Sequence, residues 1–222
     1  VVEHNFYNGN YYGTLREEVD KRLEAGKLVV LNLIATFGTS AVAANAIANS
    51  IAGVVNVPGT AIGLSIITVI GRCMGAGETG QAAHYTKRLV GASYVCMLVM
   101  STGMFLFADT LVSWFNLTPQ AVQMAGQVLR ACAVGNVLFW PMAFTLPNSL
   151  RAAGDAVFTM GVSLCSMFAC RVALSYVMAC EWGLGLGLLG VWLAMIADWV
   201  ARAVLFFVRY RQGKWKKIKV IG

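Results

Sequence analysis

Six apolar segments, separated by short polar connections, occupy most of the chain after residue 26. They lie at residues 27–37, 41–70, 86–107, 119–150, 156–179 and 187–208. An α-helix of about 20 apolar residues rises about 30 Å, which matches the hydrocarbon core of a bilayer. The last five segments reach this length, and the first does so only if residues before Lys27 continue its helix. The pattern therefore predicts an all-α fold, a polytopic transmembrane helix bundle of five to six spans.

Polar stretches flank this apolar region and divide the chain into three predicted parts. Residues 1–26 form a polar lead that we expect to be partly helical or disordered, with a charged helical pattern over residues 15–23. Residues 27–210 form the transmembrane bundle. Residues 211–222 form a basic tail, which we expect in the cytoplasm.

Prolines and capping residues indicate where the long segments begin and bend. Thr39 or Ser40 is a suitable N-cap for the second segment, and Thr118 followed by Pro119 predicts the start of the fourth. Proline removes a backbone hydrogen bond and bends a helix. Broken helices line cavities in transporters, although a bend that serves packing alone fits the sequence equally well. The predicted kinks are at Pro58, Pro141 and Pro147.

The composition supports a membrane protein and disfavours other classes. Apolar residues make up 58% of the chain and charged residues 12%, whereas soluble domains carry about 25% charged residues. The net charge is +7, but no basic face with interleaved aromatic residues indicates nucleic-acid binding. The six cysteines contain no Cys-x-x-Cys motif, and no nucleophile stands beside a base. We therefore expect a protein that is not an enzyme and has no metal site and no cofactor.

The basic residues alternate between the connections and predict the orientation. Connections around residues 38–40, 108–118 and 180–186 contain no lysine or arginine. Basic residues concentrate at cytoplasmic loops of membrane proteins. The alternation predicts a multi-pass protein of the cell membrane with a cytoplasmic C-terminus. The basic residues of the opposite set are Arg72, Lys87, Arg88, Arg151 and those of the tail from Arg209 onward.

Polar side chains within the spans are candidates for function because they are costly in a membrane. Asn45 and Asn49 share one face of a helix at a spacing of four residues, and Asn136 lies within the fourth segment. Asp198 is the carboxylate that we place well inside a span, which makes it the ion-coupling candidate. Its spacing of four residues from Arg202 also favours a structural ion pair.

Several of these segments carry motifs of one known family. The chain resembles the multidrug and toxic compound extrusion (MATE) family over about residues 26–217, with motifs in the same order. The motifs are GTSAVAANA at residues 38–46, PGTAIG at 58–63, GRCMGAG at 71–77, PNSLRAAGD at 147–155, and GVWLA at 190–194 followed by Asp198 and Arg202.

The resemblance implies an exporter of cationic drugs or metabolites, driven by an inward flow of protons or sodium ions. Members have twelve spans in two six-helix bundles, and this chain resembles the C-terminal bundle. Implied partners are membrane lipid, small organic cations, and either an N-terminal half or a second copy of the chain. The implied substrate-cavity residues are Asn45, Asn49, Asn136 and Trp140.

Two positions depart from the family pattern. Val19 stands where members usually carry a glutamate ahead of Gly26-Lys27-Leu28, and the fourth segment reads Phe139-Trp140-Pro141 where some members have a carboxylate. A truncated, non-transporting membrane fragment and a related flippase for lipid-linked sugars are therefore alternatives to the exporter half. The Gly-Ala-Gly and Arg-Ala-Ala-Gly-Asp motifs favour the exporter.

Overall fold

A computed structural model describes residues 6–7, 10–11, 30–180 and 183–217. Within the lead, two short strands, β1 (Phe6–Tyr7) and β2 (Asn10–Tyr11), pair in antiparallel fashion with Phe6 opposite Tyr11. The charged helical pattern predicted over residues 15–23 lies outside the described residues. So do residues 27–29, the start of the first apolar segment.

Helices make up nearly all of the remaining described chain, and two of the spans contain a π-helical stretch. The π-helical stretches are Pro141–Thr145 and Met167–Ala173, and a 3₁₀ turn covers Lys214–Lys217. The α-helices are α1 (residues 30–35), α2 (Thr39–Gly75), α3 (Thr79–Leu106), α4 (Ala108–Ser113), α5 (Pro119–Trp140), α6 (Leu146–Ala152), α7 (Ala156–Ser166), α8 (Leu174–Ala179) and α9 (Gly187–Arg211).

Within the described residues, five helical units are long and apolar enough to cross a membrane, which confirms the predicted bundle. Most boundaries lie close to the predicted ones. The helix α3 begins at Thr79 rather than at residue 86, because it continues through the basic residues Lys87 and Arg88. The five units are Thr39–Gly75, Thr79–Leu106, Pro119–Ala152, Ala156–Ala179 and Gly187–Arg211.

Both helices begin where the sequence predicts, at Thr39 and Pro119, but only one of the two predicted N-caps is confirmed. The Thr118 side chain accepts a hydrogen bond from the backbone N–H of Ala121 at 3.3 Å, as an N-cap does. At the start of α2, the residue in the cap position is Gly38 instead of Thr39 or Ser40. Gly38 has φ of 92°, a conformation that a residue with a side chain rarely adopts.

The prolines lie at different kinds of position. Pro58 lies inside α2, which continues through it, so the kink predicted there stays a prediction. Pro141 begins the first π-helical stretch, and Pro147 lies in the first turn of α6 directly after that stretch. The π-helical geometry marks a local irregularity in the fourth segment, and such stretches occur frequently at functional sites.

Helix α2 packs against α3, α5 and α6, while α9 packs against α5 and α8. Small residues of α2 are buried along one face, which lets neighbouring backbones approach closely. The buried small residues of α2 are Ala41, Ala44, Ala48, Ala52, Gly59 and Gly63.

Gly59 gives a test of this packing. A Cβ atom at Gly59 would lie 2.7 Å from Cη2 of Trp140 and 2.9 Å from Sδ of Met97, both in the core. We expect Gly59→Ala to lower the free energy of unfolding by about 1–3 kcal/mol, because overpacking forces the indole to shift. Denaturant unfolding in detergent measures this. The control is Gly53→Ala in the same helix, where a Cβ meets no atom within 4 Å; equal losses in both variants would contradict the prediction.

Candidate functional site

A cavity of about 400 Å³ lies between α1, the first part of α2, the second π-helical stretch and the first part of α9. Apolar side chains form most of its wall, and a few polar groups point into it. This composition is typical of sites for small organic molecules. The lining residues are Val30, Leu31, Ile34, Val42, Asn45, Ala46, Asn49, Arg171, Val191, Trp192 and Met195.

Asn45 connects two walls of this cavity. Its side-chain oxygen accepts a hydrogen bond from Nε1 of Trp192 at 3.1 Å and another from Nδ2 of Asn49 at 3.0 Å. Asn49 also donates to the backbone oxygen of Asn45 at 2.8 Å. The predicted face of Asn45 and Asn49 therefore borders the cavity, and the bond to Trp192 joins α2 to α9.

Arg171 brings a positive charge to the cavity. It lies in the π-helical stretch Met167–Ala173, and its Nη2 is 3.0 Å from Sδ of Met195. A thioether sulfur is a weak acceptor, and it is the side-chain partner of this guanidinium among the described residues. Among the described residues, the other N–H groups of this guanidinium have no side-chain partner.

A buried polar network on α9 lies close to the cavity. Oδ1 of Asp198 accepts hydrogen bonds from Nε of Arg202 at 3.0 Å and from the hydroxyl of Ser166. Nε of Arg202 lies 2.9 Å from Oγ of Ser166, and Nη2 donates to the backbone oxygen of Ser163 at 3.2 Å. This geometry confirms the ion pair predicted from the spacing of four residues. Oδ2 of Asp198 is buried without a partner in the described chain.

The structure does not bring Asn136 and Trp140 to this cavity. Asn136 is fully buried and donates from Nδ2 to Oδ1 of Asn56 on α2 at 3.0 Å. Trp140 is buried against Gly59 and stacks on Phe144 with ring centroids 5.3 Å apart. Both residues join α2 to α5 inside this bundle, and contact of either with a substrate stays a prediction.

Arg171 is already a candidate from the sequence, because a guanidinium inside a membrane span is costly. The sequence did not indicate Trp192 and Met195 as parts of the site. Trp192 and Met195 carry no such signal, and only the packing of α9 against α2 and the π-helical stretch brings them to the cavity. Within the described residues, no three His, Cys, Asp or Glu side chains group as metal ligands.

Comparison with known proteins identifies a family. The family model MatE matches residues 25–177. The chain is 26% identical over 196 residues to the probable multidrug resistance protein NorM of Thermotoga maritima, covering 88% of this chain and 42% of that protein. It is 28% identical over 191 residues to the uncharacterized transporter YisQ of Bacillus subtilis, covering 85% of this chain and 41% of YisQ.

A solved structure has the same fold. A MOP superfamily transporter from Pyrococcus furiosus superposes with a TM-score of 0.81 at 18% identity, covering 93% of this chain and 46% of that one. The chain thus spans less than half the length of these known proteins, and the matched part has the helical architecture described above.

Proposed function

Because the chain belongs to the MATE family of membrane transporters, we propose that it forms the C-terminal helical bundle of an exporter of small organic molecules. The cavity bounded by Asn45, Arg171 and Trp192 carries this proposal. Transporters built from two repeats bind substrate between them and rock one against the other. The proposed exporter lies in the cell membrane, with the basic helix ends and the C-terminus of this chain in the cytoplasm, and a second bundle completes its substrate path.

The proposed cycle exchanges organic cations for protons or sodium ions, as the family resemblance implies. Asp198 is the proposed coupling residue. Its Oδ1 is already held by Arg202 and Ser166, so Oδ2 is the oxygen left for a proton or a sodium ion. In this proposal the arriving ion weakens the network that joins α9 to α7, and the weakened network permits the rocking motion.

Arg171 favours a second substrate class for the same exporter. A guanidinium binds carboxylate, sulfonate and phosphate groups through paired hydrogen bonds. In an apolar cavity, such a group gives specificity for a substrate that carries an anionic group on an apolar body. The Pyrococcus furiosus transporter of this fold is itself described as having a binding pocket of reversed polarity. We therefore include organic anions and zwitterions among the proposed substrates.

Transport in membrane vesicles tests the exporter proposal. The chain is produced alone and together with the first bundle of the Thermotoga maritima relative, and efflux of a fluorescent organic cation is followed under a proton or a sodium gradient. We expect gradient-dependent efflux only when both bundles are present. A third preparation carries the chain together with its own upstream coding sequence. If none of the three preparations shows efflux, the result would support the non-transporting fragment. Movement of a lipid-linked sugar without dye efflux would support the flippase.

Replacement of Arg171 separates the two substrate classes. In the two-bundle preparation, a fluorescent aromatic carboxylate is added as an inhibitor of dye efflux. We expect Arg171→Gln to weaken this inhibition at least tenfold, which corresponds to about 1.4 kcal/mol. Arg171→Lys should retain part of the affinity, and a cationic dye should be exported by all variants. The matched control is Arg130→Gln, which removes a span arginine that does not line the cavity. Equal effects of both glutamine variants would overturn the anion assignment.

A further inference from the structure

A second concave site lies at the other end of the bundle, away from the cavity of Asn45 and Arg171. It is a groove of about 720 Å³ between α3 and α9, with Met142 and Leu146 at its base. Its far side is closed by the turn after α9, in which Trp215 is buried and stacks on Tyr210 with ring centroids 5.4 Å apart.

The interior of this groove is apolar, and the polar groups of its aromatic side chains already have hydrogen-bond partners within the protein. Val90, Gly91, Met142 and Leu146 supply carbon surface. The hydroxyl of Tyr94 donates to the backbone oxygen of Leu138 at 3.3 Å, so this polar group is satisfied within the bundle. The hydroxyl of Tyr210 and Nε1 of Trp215 are satisfied in the same way by backbone oxygens. A ligand inside the groove therefore needs an apolar body.

The rim of the groove is cationic. Lys87 of α3, Arg211 at the end of α9 and Lys216 of the 3₁₀ turn all border it and are exposed. None of the three belongs to an ion pair within the described residues, where the pairs are Arg130–Asp109, Arg202–Asp198 and Arg209–Asp155. Lys216 lies over the Trp215 ring at 5.6 Å, which holds its charge at the rim.

The groove extends from this rim into the membrane region. Tyr94 lies seven residues beyond Lys87 on α3, a rise of about 10 Å along the helix. A ligand that matches the site must therefore place negative charge at the membrane surface and a hydrocarbon chain toward the bilayer centre. Anionic phospholipids have this arrangement, and clusters of basic residues beside transmembrane helices recognise their head groups.

We propose that the groove between α3 and α9 is a binding site for one anionic phospholipid. Lys87, Arg211 and Lys216 bind its phosphate, and an acyl chain lies along Gly91 and Met142. The site uses no residue of the cavity and does not depend on transport activity. Bound lipid would join α3 to the end of α9, two helices that this groove separates.

Native mass spectrometry of the detergent-purified chain tests the proposal. The chain is titrated with phosphatidylglycerol or with phosphatidylcholine of the same acyl chains. We expect one phosphatidylglycerol to be retained with at least tenfold preference, and the triple variant Lys87→Gln, Arg211→Gln, Lys216→Gln to lose that preference. The matched control removes three basic residues near the same end of the bundle that do not border the groove, and should keep the preference. The control variant is Arg72→Gln, Arg88→Gln, Lys214→Gln.

A glycine substitution tests the apolar part without changing charge. Gly91 borders the groove, and a Cβ placed there meets no atom within 4 Å, so the leucine side chain of Gly91→Leu starts in open space beside the groove. We expect this variant to lose lipid retention at least tenfold, while Gly103→Leu, equally open on the same helix, retains it. Equal loss in the two triple variants, full retention by Gly91→Leu, or displacement of the lipid by inorganic phosphate alone would each overturn the proposal.

Discussion

Replacing Arg202 with methionine is expected to lower the free energy of unfolding by about 3–5 kcal/mol, because it leaves the Asp198 carboxylate buried without its charge partner. Asp198 is fully buried, and its Oδ1 receives the Arg202 Nε hydrogen bond at 3.0 Å. Water cannot reach the carboxylate to replace that bond. Denaturant unfolding of the purified chain in detergent measures the loss.

Two further variants identify the cause of that loss. The double variant Asp198→Leu, Arg202→Met removes both charges and should recover most of the stability, because apolar replacement of a buried pair is often neutral. Arg130→Met breaks an exposed pair, in which the side chains of Arg130 and Asp109 are 41% and 68% exposed. We expect that variant to cost less than about 1 kcal/mol. A similar cost for Arg130→Met and Arg202→Met would contradict the assignment of the buried pair.

The same variants separate structure from ion coupling at Asp198. If the carboxylate only balances the charge of Arg202, the double apolar variant should support gradient-dependent transport in the two-bundle preparation. If Oδ2 binds the coupling ion, that variant should fold and yet lose its dependence on the gradient. Stability and coupling are thus measured on one protein, and a defect in folding is distinguished from a defect in transport.

The sequence predicted the spans well because lipid imposes a simple requirement on composition and length. The fifth predicted segment, residues 156–179, has the same bounds as the membrane-spanning unit Ala156–Ala179. The start of α3 was harder to predict, because a helix can continue through Lys87 and Arg88 outside the apolar region. The cap at Gly38 was missed because its φ of 92° depends on the chain path rather than on side-chain preference.

The site was harder to predict because it depends on which helix faces meet. The spacing of Asn45 and Asn49 placed them on one face, and the structure brings that face to the cavity. The same kind of reasoning cannot tell a cavity face from a core face, and Asn136 pairs inside the bundle with Asn56. Arg171 contacts Met195, which lies 24 residues later in the chain. Arg171 lies in a π-helical stretch, and the apolar periodicity of the sequence does not predict such a stretch.

The crossing of α8 and α9 is expected to be as sensitive as the ion pair, because two backbones touch there without side chains between them. A Cβ atom at Gly190 would lie 2.6 Å from the carbonyl oxygen of Met178 and 2.7 Å from its carbonyl carbon. Backbone atoms cannot rotate away as a flexible side chain does, so the two helices must separate. We expect Gly190→Ala to lower the free energy of unfolding by about 3 kcal/mol.

The displacement should also reach the candidate site, because Val191 and Trp192 follow Gly190 and line the cavity. Moving α9 lengthens the 3.1 Å hydrogen bond from Trp192 to Asn45, so substrate binding should weaken together with stability. The matched control is Gly161→Ala in α7, where a Cβ meets no atom within 4 Å. That variant should be stabilised by about 0.5–1 kcal/mol, the usual gain for alanine over glycine in a helix. If Gly190→Ala and Gly161→Ala change the free energy of unfolding equally, α8 and α9 do not pack this closely. The position of Trp192 in the cavity wall would then be wrong as well.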